Sequence, residues 1–526
     1  MTVSDVIPEA TIWTALEHRI VAAGHDPVLS GGDVDWTASD LWEAADMLAG
    51  RLAARGICHR SCVMTMLPNS VDHALLVLAF ARLGAVWAAV APDQRGPTLD
   101  HIFKTLKPDL IIAAPAAVKA LKDIGVTGQS HVTFDPDEAS LADSICGSAS
   151  PKPIHKADPD DVRALVFTSG TTGPPKCTQV TERMLIASAW GAAHASDAVP
   201  GDRLLLWEPL YHIGGSQLLV LSLLLPVRLF VVPRFSASRF WVQAGKYGIT
   251  KLHYLGGVLE ILLAQSPHPR DTDHKIRLAF GAGARPDVWR AFQKRFQIPL
   301  REVYGLTEAS SFTTINREGL IGSIGKPVPW IDVSLVDEQG SEIPAGQVGE
   351  IVVRTKVAGL LTPGYLDDPE ATAMLLRGDA LYTGDLARSD ERGGFSFVGR
   401  KKDAIRCRGE LVPAWEVETA LIAHPDIAEC AAVAVPAEIG EEEILVFVRA
   451  SDDARDDPAS LARWAVKTLP RRSCPRYWKV VEDFPRTPSA RIAKTELFRD
   501  IGSAYDAEIS AGLSEKSRSG QRVSRG

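Results

Sequence analysis

The feature that most restricts the fold of this chain is an alternation of short apolar segments with helical segments. Apolar runs of strand length lie at 62–67, 85–90, 109–114, 164–167, 203–206, 229–232, 251–255, 278–280 and 300–303. Segments with helical spacing separate several of these runs, at 71–83, 181–195 and 216–225. Strands that alternate with helices form parallel sheets covered by helices, so the sequence predicts an α/β fold.

Two of the later predicted strands end in glycine-rich turns. Gly281-Ala282-Gly283 follows the strand at 278–280, and Tyr304-Gly305 follows the strand at 300–303. Open α/β sheets bind ligands at the carboxyl ends of their strands, and glycine lets the backbone approach a ligand closely. We therefore expect a ligand at this edge of the sheet.

The strand at 164–167 is followed by a loop that is dense in hydroxyl groups. The loop consists of Thr168, Ser169, Gly170, Thr171, Thr172, Gly173, Pro174, Pro175 and Lys176. Its hydroxyl and N–H groups can surround an anion and Lys176 adds a positive charge, which together suit a polyphosphate. The spacing is not that of a P-loop, because Lys176 lies three residues after Gly173 and Cys177 follows it. The alternative is a polar loop with Gly-Pro punctuation.

The composition is typical of a globular protein with several domains. The chain has 526 residues, of which 46% are hydrophobic and 23% charged, and this length predicts roughly two to four domains. A net charge of −8 argues against a nucleic-acid partner. The seven cysteines are scattered and form no C-x-x-C motif, so we expect reduced thiols and a cytoplasmic location, without a zinc site.

Neither a secretory signal nor a membrane span is expected. The first ten residues contain no basic segment followed by an apolar one. The most apolar run, at 218–225, is shorter than the roughly 20 residues of a spanning helix and is predicted to form a buried helix.

The sequence pattern changes along the chain and predicts a division into domains. Residues 11–56 predict mostly helix, and 115–160, which hold few periodic signals, predict a surface excursion that leads into the loop at 168–176. After residue 330 hairpin strands replace the alternation, and a smaller α+β pattern follows a charged segment at 400–403. We predict a large N-terminal domain with parallel-type sheets and a β-barrel-like part, a small mobile C-terminal domain and a disordered tail. Their predicted bounds are 1–400, 401–503 and 504–526.

Several motifs resemble those of the adenylate-forming superfamily, which comprises acyl-CoA synthetases, adenylation domains and luciferases. They are the loop at 168–176, the pentapeptide Tyr-Gly-Leu-Thr-Glu at 304–308, and the segments 397–403 and 409–418. The segments 406–410 and 438–442 are similar to the carnitine/crotonobetaine-CoA ligase group. The resemblance implies an enzyme that uses ATP and Mg²⁺ to join a carboxylic acid to AMP. The acyl group would then pass to the thiol of coenzyme A, with release of AMP and pyrophosphate.

The resemblance also implies roles for single residues. Lys176, His212 and Thr307 would act in catalysis, Tyr304 would stack on adenine, and Glu308 would bind Mg²⁺. Lys402 would be the hinge of the small domain. The remaining residues implied in binding the nucleotide or coenzyme A are Thr168, Ser169, Gly170, Thr171, Thr172, Gly173, Gly281, Ala282, Gly305, Asp385, Arg400 and Gly409.

The same resemblance implies an acyl pocket next to the segment 209–215. The residues expected to border it are Trp207, His212, Ile213, Tyr254, Gly281 and Ala309. Gly214 and Gly215 are expected to leave room for the substrate. Because several of these side chains are large, we predict a short, branched or cyclic acid.

One segment departs from the family pattern. Where the family has Pro-x-Thr-x-Ser-Gly-Lys-Ile, this chain has Pro-Arg-Thr-Pro-Ser-Ala-Arg-Ile at 485–492. The register places Arg491 at the catalytic lysine, and Lys494 is the alternative. Arginine keeps the charge but is not equivalent to lysine.

The expected reaction needs cations rather than an acid/base dyad. A carboxylate is already ionised at pH 7, and its repulsion from the α-phosphate of ATP is the obstacle. The sequence therefore predicts an AMP-forming acid–thiol ligase. The alternatives are an acyl-AMP ligase that loads a carrier protein, a luciferase-like oxygenase and a non-catalytic nucleotide or acyl sensor. Neither a nucleic acid nor a membrane is an expected partner, and a homodimer stays open.

Overall fold

The computed structural model describes residues 4–127, 131–135, 141–145, 155, 157–168, 174–407, 410–437, 442–451, 457–469, 471–486 and 492–507. The chain divides into two compact units. The first comprises Met1–Ser334, Val352–Tyr382 and Gly393–Phe395, and the second comprises Leu335–Ile351, Thr383–Arg392 and Ser396–Gly526. The domain boundary at about residue 400 stays a prediction.

Fifteen strands are described in the part of the first unit that ends at residue 334. They are β1 (Pro27–Gly31), β2 (Val34–Thr37), β3 (Cys62–Met66), β4 (Val86–Ala89), β5 (Leu110–Ala113), β6 (His131–Thr133), β7 (Val162–Thr168), β8 (Lys176–Thr181), β9 (Arg203–Leu206), β10 (Arg228–Val231), β11 (Lys251–Leu255), β12 (Leu278–Ala282), β13 (Leu300–Tyr304), β14 (Thr314–Ile315) and β15 (Lys326–Pro327). The helices are α1 (Ile12–Ala23), α2 (Ala38–Ala54), α3 (Val71–Leu83), α4 (Gly96–Leu106), α5 (Pro115–Asp123), α6 (Leu141–Ser144), α7 (Glu182–Ser196), α8 (Ile213–Leu224), α9 (Ala237–Tyr247), α10 (Gly256–Leu263) and α11 (Pro286–Phe296).

Two sheets organise these strands. The six-stranded sheet has the order β6-β5-β3-β4-β7-β8 and is parallel except for β8, which runs antiparallel to β7. The nine-stranded sheet has the order β15-β14-β13-β12-β11-β9-β10-β1-β2. Its strands from β13 to β1 are parallel. The predicted α/β class with parallel sheets is confirmed.

The connections follow from local sequence. Ser70 caps α3 by accepting a hydrogen bond from the N–H of His73, and Gly84 ends the helix with a φ of 72°. Helix α8 is apolar on every side and is buried over most of its length, as predicted for 218–225. Within the described ranges, each helix falls short of the length and apolar content that a membrane crossing requires.

The segment 11–56 is mostly helical, as predicted, because α1 and α2 lie within it. Between these helices β1 and β2 form a hairpin around Gly32, whose φ is 60°. Strand β1 is held by parallel pairing with β10, a contact between residues about two hundred positions apart that no local pattern reveals. The described part of the segment 115–160 contains helix α5, which Pro115 begins, and the short elements β6 and α6.

The remaining elements lie between Ile331 and Asp506. They are β16 (Ile331–Val336), β17 (Val348–Thr355), α12 (Pro369–Leu375), β18 (Leu376–Arg377), β19 (Ala380–Ser389), β20 (Phe395–Arg400), β21 (Ala404–Cys407), β22 (Glu410–Pro413), α13 (Ala414–Ile422), β23 (Ile427–Pro436), β24 (Glu442–Ala450), α14 (Pro458–Thr468), β25 (Tyr477–Val480) and β26 (Tyr505–Asp506). Strands β23, β24, β25 and β26 form a four-stranded sheet in that order. Strand β26 extends the ordered chain past residue 503, and most of the predicted tail, 508–526, lies outside the described residues.

Candidate active site

Glu308 joins three hydroxyl groups from separate parts of the first unit. Its Oε1 accepts hydrogen bonds from Thr168 Oγ1 at 3.4 Å, Thr178 Oγ1 at 3.3 Å and the Tyr365 hydroxyl at 3.0 Å. Thr168 ends β7 and Thr178 lies in β8, whereas Glu308 lies in the 3₁₀ turn Thr307–Ala309 after β13. The carboxylate, which is only 6% exposed, therefore connects the ends of the two sheets.

Tyr365 also positions the predicted phosphate-binding lysine. The Lys176 ammonium lies 5.0 Å from the centre of the Tyr365 ring, a cation–π contact. Thr168 and Lys176 are direct partners in the β7–β8 pair, so the two ends of the predicted phosphate loop are fixed together. The intervening residues Ser169, Gly170, Thr171, Thr172 and Gly173 lie outside the described residues.

The sequence interpretation missed Tyr365 and Thr178. Burial, and then the negative charge of Glu308, raise the pKa of Tyr365, which keeps its hydroxyl protonated as a donor. A sequence signal for Tyr365 existed in the dipeptide Pro363-Gly364 directly before it. Pro-Gly marks a turn, and loop residues often carry function.

A second buried carboxylate, Glu302, holds the glycine-rich turn after β12. It accepts hydrogen bonds from the N–H groups of Gly283 and Ala284 and, at 2.7 Å, from the Tyr254 hydroxyl. Gly281 lies between them in the sheet, and a Cβ there would stand 1.8 Å from the Tyr254 carbonyl oxygen. Only glycine fits this position, and the turn that contains Ala282 is thereby fixed at the strand ends.

We expect Glu302 to make folding stability depend on pH. Burial raises its pKa from 4.5 to about 7, so the folded state holds a proton that the unfolded state has already lost between these pH values. Folding stability should therefore fall as pH rises from about 4.5 to about 7, by up to about 3 kcal/mol, because each pKa unit corresponds to about 1.4 kcal/mol. Thermal unfolding of wild type and Glu302→Gln should show this fall in wild type only. Glu260→Gln, at a half-exposed glutamate, should behave like wild type, and parallel curves for all three proteins would contradict the assignment.

The turn after β13 brings Tyr304, Gly305 and Thr307 to the same edge. Gly305 is exposed, and a Cβ on it would stand 1.5 Å from the carbonyl oxygen of Ser311. This close contact requires glycine. Tyr304 and Thr307 are each 9% exposed. The structure thus brings the predicted adenine- and phosphate-binding residues of 281–282 and 304–308 together at the ends of neighbouring strands.

The predicted acyl-pocket residues fall into two groups. His212 is exposed and Ile213 half-buried at the start of α8. His212 lies in a recess, where burial among protein atoms lowers its pKa and the charge of Glu208 opposes that shift. By contrast, the side chains of Trp207, Tyr254 and Ala309 are buried. Trp207 donates to the His253 carbonyl at 2.9 Å.

The expectation that Gly214 and Gly215 leave room for a substrate was wrong. A Cβ at Gly214 would stand 2.2 Å from Oε1 of Glu208, and a Cβ at Gly215 would stand 2.2 Å from the carbonyl oxygen of Pro209. The space beside these glycines is therefore filled by atoms of the protein and not by a substrate. Glu208, which the sequence interpretation did not single out, therefore lies against the first turn of α8.

In the second unit, two predicted nucleotide-binding residues form a pair. Arg400 Nε lies 3.4 Å from Asp385 Oδ1, and Asp385 is mostly buried. Glu350 binds the ammonium of Lys401 at 2.8 Å and accepts the N–H of Gly384 at 3.1 Å. These bonds fix the turn that presents Asp385. The predicted hinge residue Lys402 is exposed in the 3₁₀ turn Lys401–Asp403, and Gly409 lies outside the described residues.

Of the two candidates for the catalytic cation, Lys494 lies within the described residues and Arg491 does not. Lys494 is engaged within the second unit, because its ammonium lies 2.6 Å from Oε1 of Glu418. The same carboxylate oxygen accepts the N–H of Ala432 at 2.7 Å. Arg491 lies outside the described residues.

The surroundings of Glu308 fit a bound Mg²⁺. Mg²⁺ prefers carboxylate and other oxygen ligands, and Glu308 is a buried carboxylate whose neighbours are hydroxyl oxygens. No lysine or arginine forms an ion pair with it among the residues described by the structure. A bound metal cation would therefore balance the negative charge of this carboxylate.

Comparisons with known proteins identify the family of this chain. The family of AMP-binding enzymes matches residues 16–366, and the AMP-binding enzyme C-terminal domain matches residues 416–491. A sulfoacetate–CoA ligase of Cupriavidus necator is 32% identical over 86% of this chain and 90% of its own length. A medium/long-chain-fatty-acid–CoA ligase of Mycobacterium tuberculosis is 29% identical over 95% of this chain and 87% of its own length. The structure of ATP-bound MatB from Rhodopseudomonas palustris superimposes with a TM-score of 0.84 at 25% identity, over 92% of this chain and 98% of that one. This chain therefore belongs to the family of AMP-binding enzymes, within the adenylate-forming superfamily that includes the acyl-CoA ligases.

Proposed function

We propose that this protein is an ATP-dependent carboxylic acid–CoA ligase that works through an acyl-adenylate. The observation that carries the proposal is the cluster in which Glu308 binds the hydroxyls of Thr168, Thr178 and Tyr365 while the Tyr365 ring lies under Lys176. It places a positive charge and a cation ligand at the ends of a loop suited to phosphates.

The first half-reaction needs no general base. An oxygen of the ionised acid attacks the α-phosphorus of ATP, and the bond to the leaving pyrophosphate breaks with its electron pair. Lys176 lowers the repulsion between the two anions, and the Thr307 hydroxyl is a donor for the α-phosphate. When bound at Glu308, Mg²⁺ would supply further positive charge to the phosphates.

In the second half-reaction the thiol of coenzyme A displaces AMP. The sulfur attacks the acyl carbon, the thiol proton is lost, and the acyl–phosphate bond breaks with its electrons on AMP. His212 borders the acyl group in this proposal. Asp385 binds the ribose hydroxyls, and Arg400 contacts the ribose or a phosphate. Gly409 lies beside the pantetheine arm, and Lys402 is the hinge. The roles of these four residues rest on the family resemblance alone.

For the acid, we propose a short, branched or cyclic compound. Trp207 and Tyr254 give this proposal no support, since both are held in the core by hydrogen bonds. Its support comes from Tyr211 and His212, two aromatic residues whose ring centres are 4.7 Å apart at the start of α8. The six cysteines among the described residues form no disulfide with one another, in keeping with the cytoplasmic location that we also propose.

Pyrophosphate release over a panel of acids tests the proposal. The purified protein with ATP and Mg²⁺ should release pyrophosphate with short, branched or cyclic acids, and free coenzyme A should then yield AMP and a thioester. Fastest turnover on palmitate would contradict the proposed acid class. Product on a phosphopantetheinyl carrier but none with free coenzyme A would favour the carrier-loading alternative. ATP binding without pyrophosphate release from any acid would favour a sensor.

A further inference from the structure

A buried carboxylate, that of Glu208, lies beside the proposed acyl pocket, and the proposed mechanism gives it no role. Glu208 is 6% exposed and follows β9, four residues before His212. Its backbone is fixed, because Asn69 donates to the Glu208 carbonyl at 2.8 Å and accepts the N–H of Leu210 at 2.9 Å. Glycine at position 214 lets the carboxylate reach the first turn of α8.

The hydrogen-bonding capacity of this carboxylate is incompletely used. His253, also 6% exposed, places Nδ1 3.0 Å from Oε2 of Glu208. The two atoms are not aligned for a hydrogen bond, and neither has another partner among the described residues. Burial of a carboxylate is costly unless hydrogen-bond donors or a cation complete its surroundings. The positive end of the α8 dipole compensates only part of the negative charge of Glu208.

We propose that Glu208 and His253 recognise a hydrogen-bond-donating substituent, a hydroxyl or an amine, on the acid that the enzyme activates. The inference rests on the proposed function and on His212 and Ile213 bordering the acyl group. An ionised carboxylate only accepts hydrogen bonds, so a hydroxyl or ammonium fits beside Glu208. A second carboxylate or a sulfonate on the acid would be repelled there.

The rings around His253 fit the same interpretation. Trp207 stacks on it with ring centres 6.1 Å apart, and Phe280 lies 5.0 Å away on β12. Aromatic walls hold an imidazole in place and exclude water, which strengthens a hydrogen bond to a buried substituent. The site thus combines one acceptor and one ring nitrogen, held in place by apolar neighbours, and a few such placed polar groups are typical of a specificity site.

Matched sets of acids test the proposal in the wild-type enzyme. One set is butanoate, 4-hydroxybutanoate, 4-aminobutanoate and succinate; the other is benzoate with the corresponding 4-hydroxy, 4-amino and 4-carboxy compounds. The two sets differ in the distance between the carboxylate and the substituent. In the set whose distance fits the site better, we expect kcat/KM for the hydroxy or amino acid to exceed that of the unsubstituted acid about 10- to 100-fold, as for a hydrogen bond to a charged group. In the butanoate set, where the amine is protonated at neutral pH, a larger gain for the amine identifies an ammonium, and a larger gain for the hydroxyl identifies a neutral donor. In the benzoate set the aromatic amine is uncharged, so both substituents test a neutral donor.

Two variants separate recognition from a structural role. Glu208→Gln should reduce that ratio about 10-fold or more and lower the discrimination against the dicarboxylate. Gly214→Ala should do the same, because its Cβ displaces the carboxylate without removing it. Glu260→Gln, at an exposed glutamate on α10, should leave the ratio unchanged.

The outcome also distinguishes this inference from the proposed function. If no acid releases pyrophosphate, the proposed function fails. If acids are activated but the ratio in Glu208→Gln and Gly214→Ala equals that of wild type, the inference is overturned while the ligase assignment stands. Should Glu208→Gln not fold, the ratio in Gly214→Ala and in wild type decides.

Discussion

Replacing Glu308 by glutamine is expected to lower acyl-adenylate formation at least about 100-fold, the usual loss when one electrostatic contact to a transition state is removed. Glutamine has nearly the same shape, and its amide oxygen can still accept from Thr168, Thr178 and Tyr365. The variant should therefore fold but lack the charge that binds the cation. Pyrophosphate release should fall, and the Mg²⁺ concentration for half-maximal rate should rise.

Tyr365→Phe is the matched control for this prediction. It removes one of the three hydrogen bonds but keeps the Glu308 charge and the ring under Lys176. We expect a loss of about 10-fold, with an unchanged Mg²⁺ requirement, since a hydrogen bond to a charged group contributes about 1.5–3 kcal/mol. Equal losses in both variants would show that Glu308 acts by holding the loop ends. A wild-type rate in Glu308→Gln would remove the carboxylate from the mechanism.

The parallel sheets and the edge that carries the site could be predicted from the sequence because both depend on short-range patterns. Apolar runs predicted the strands. Gly281 near the end of β12 and Gly305 directly after β13 lie where a Cβ would collide with a neighbouring carbonyl oxygen. Hydroxyl groups after β7 predicted an anion site from composition alone. These signals are local, and a single sequence displays them.

The residues that the sequence did not reveal act across long distances in the chain. Tyr365 reaches Glu308 from 57 residues away, and His253 meets Glu208 only because β11 and β9 are neighbours in the sheet. The available signals were charges in apolar surroundings, such as Glu302 within β13 and Glu208 after β9. In the sequence, a glycine such as Gly214 can be interpreted as leaving space for a substrate. The structure shows that the Glu208 carboxylate occupies this space.

The position of Lys494 bears on which residue supplies the catalytic cation. Its ammonium and the Glu418 carboxylate are 2.6 Å apart, with side chains 24% and 16% exposed. Burial raises the pKa of Glu418, and the charge of Lys494 opposes that shift. A lysine committed to a largely buried carboxylate is costly to withdraw. This contact favours a structural role for Lys494 and leaves Arg491 as the residue that we expect to meet the acid and the α-phosphate.

We therefore expect the two alanine variants to fail in different ways. Arg491→Ala should lower acyl-adenylate formation about 100- to 1000-fold at an unchanged unfolding temperature, and Arg491→Lys should restore most of the rate because the family pattern has lysine there. Lys494→Ala should instead lower stability by about 2 kcal/mol, less than the cost of breaking a fully buried pair, because it leaves Glu418 without its cation. Pyrophosphate release by the three variants measures the effect on adenylation, and thermal unfolding measures the effect on stability. If Lys494→Ala lost adenylation at full stability while Arg491→Ala kept it, the roles would be exchanged.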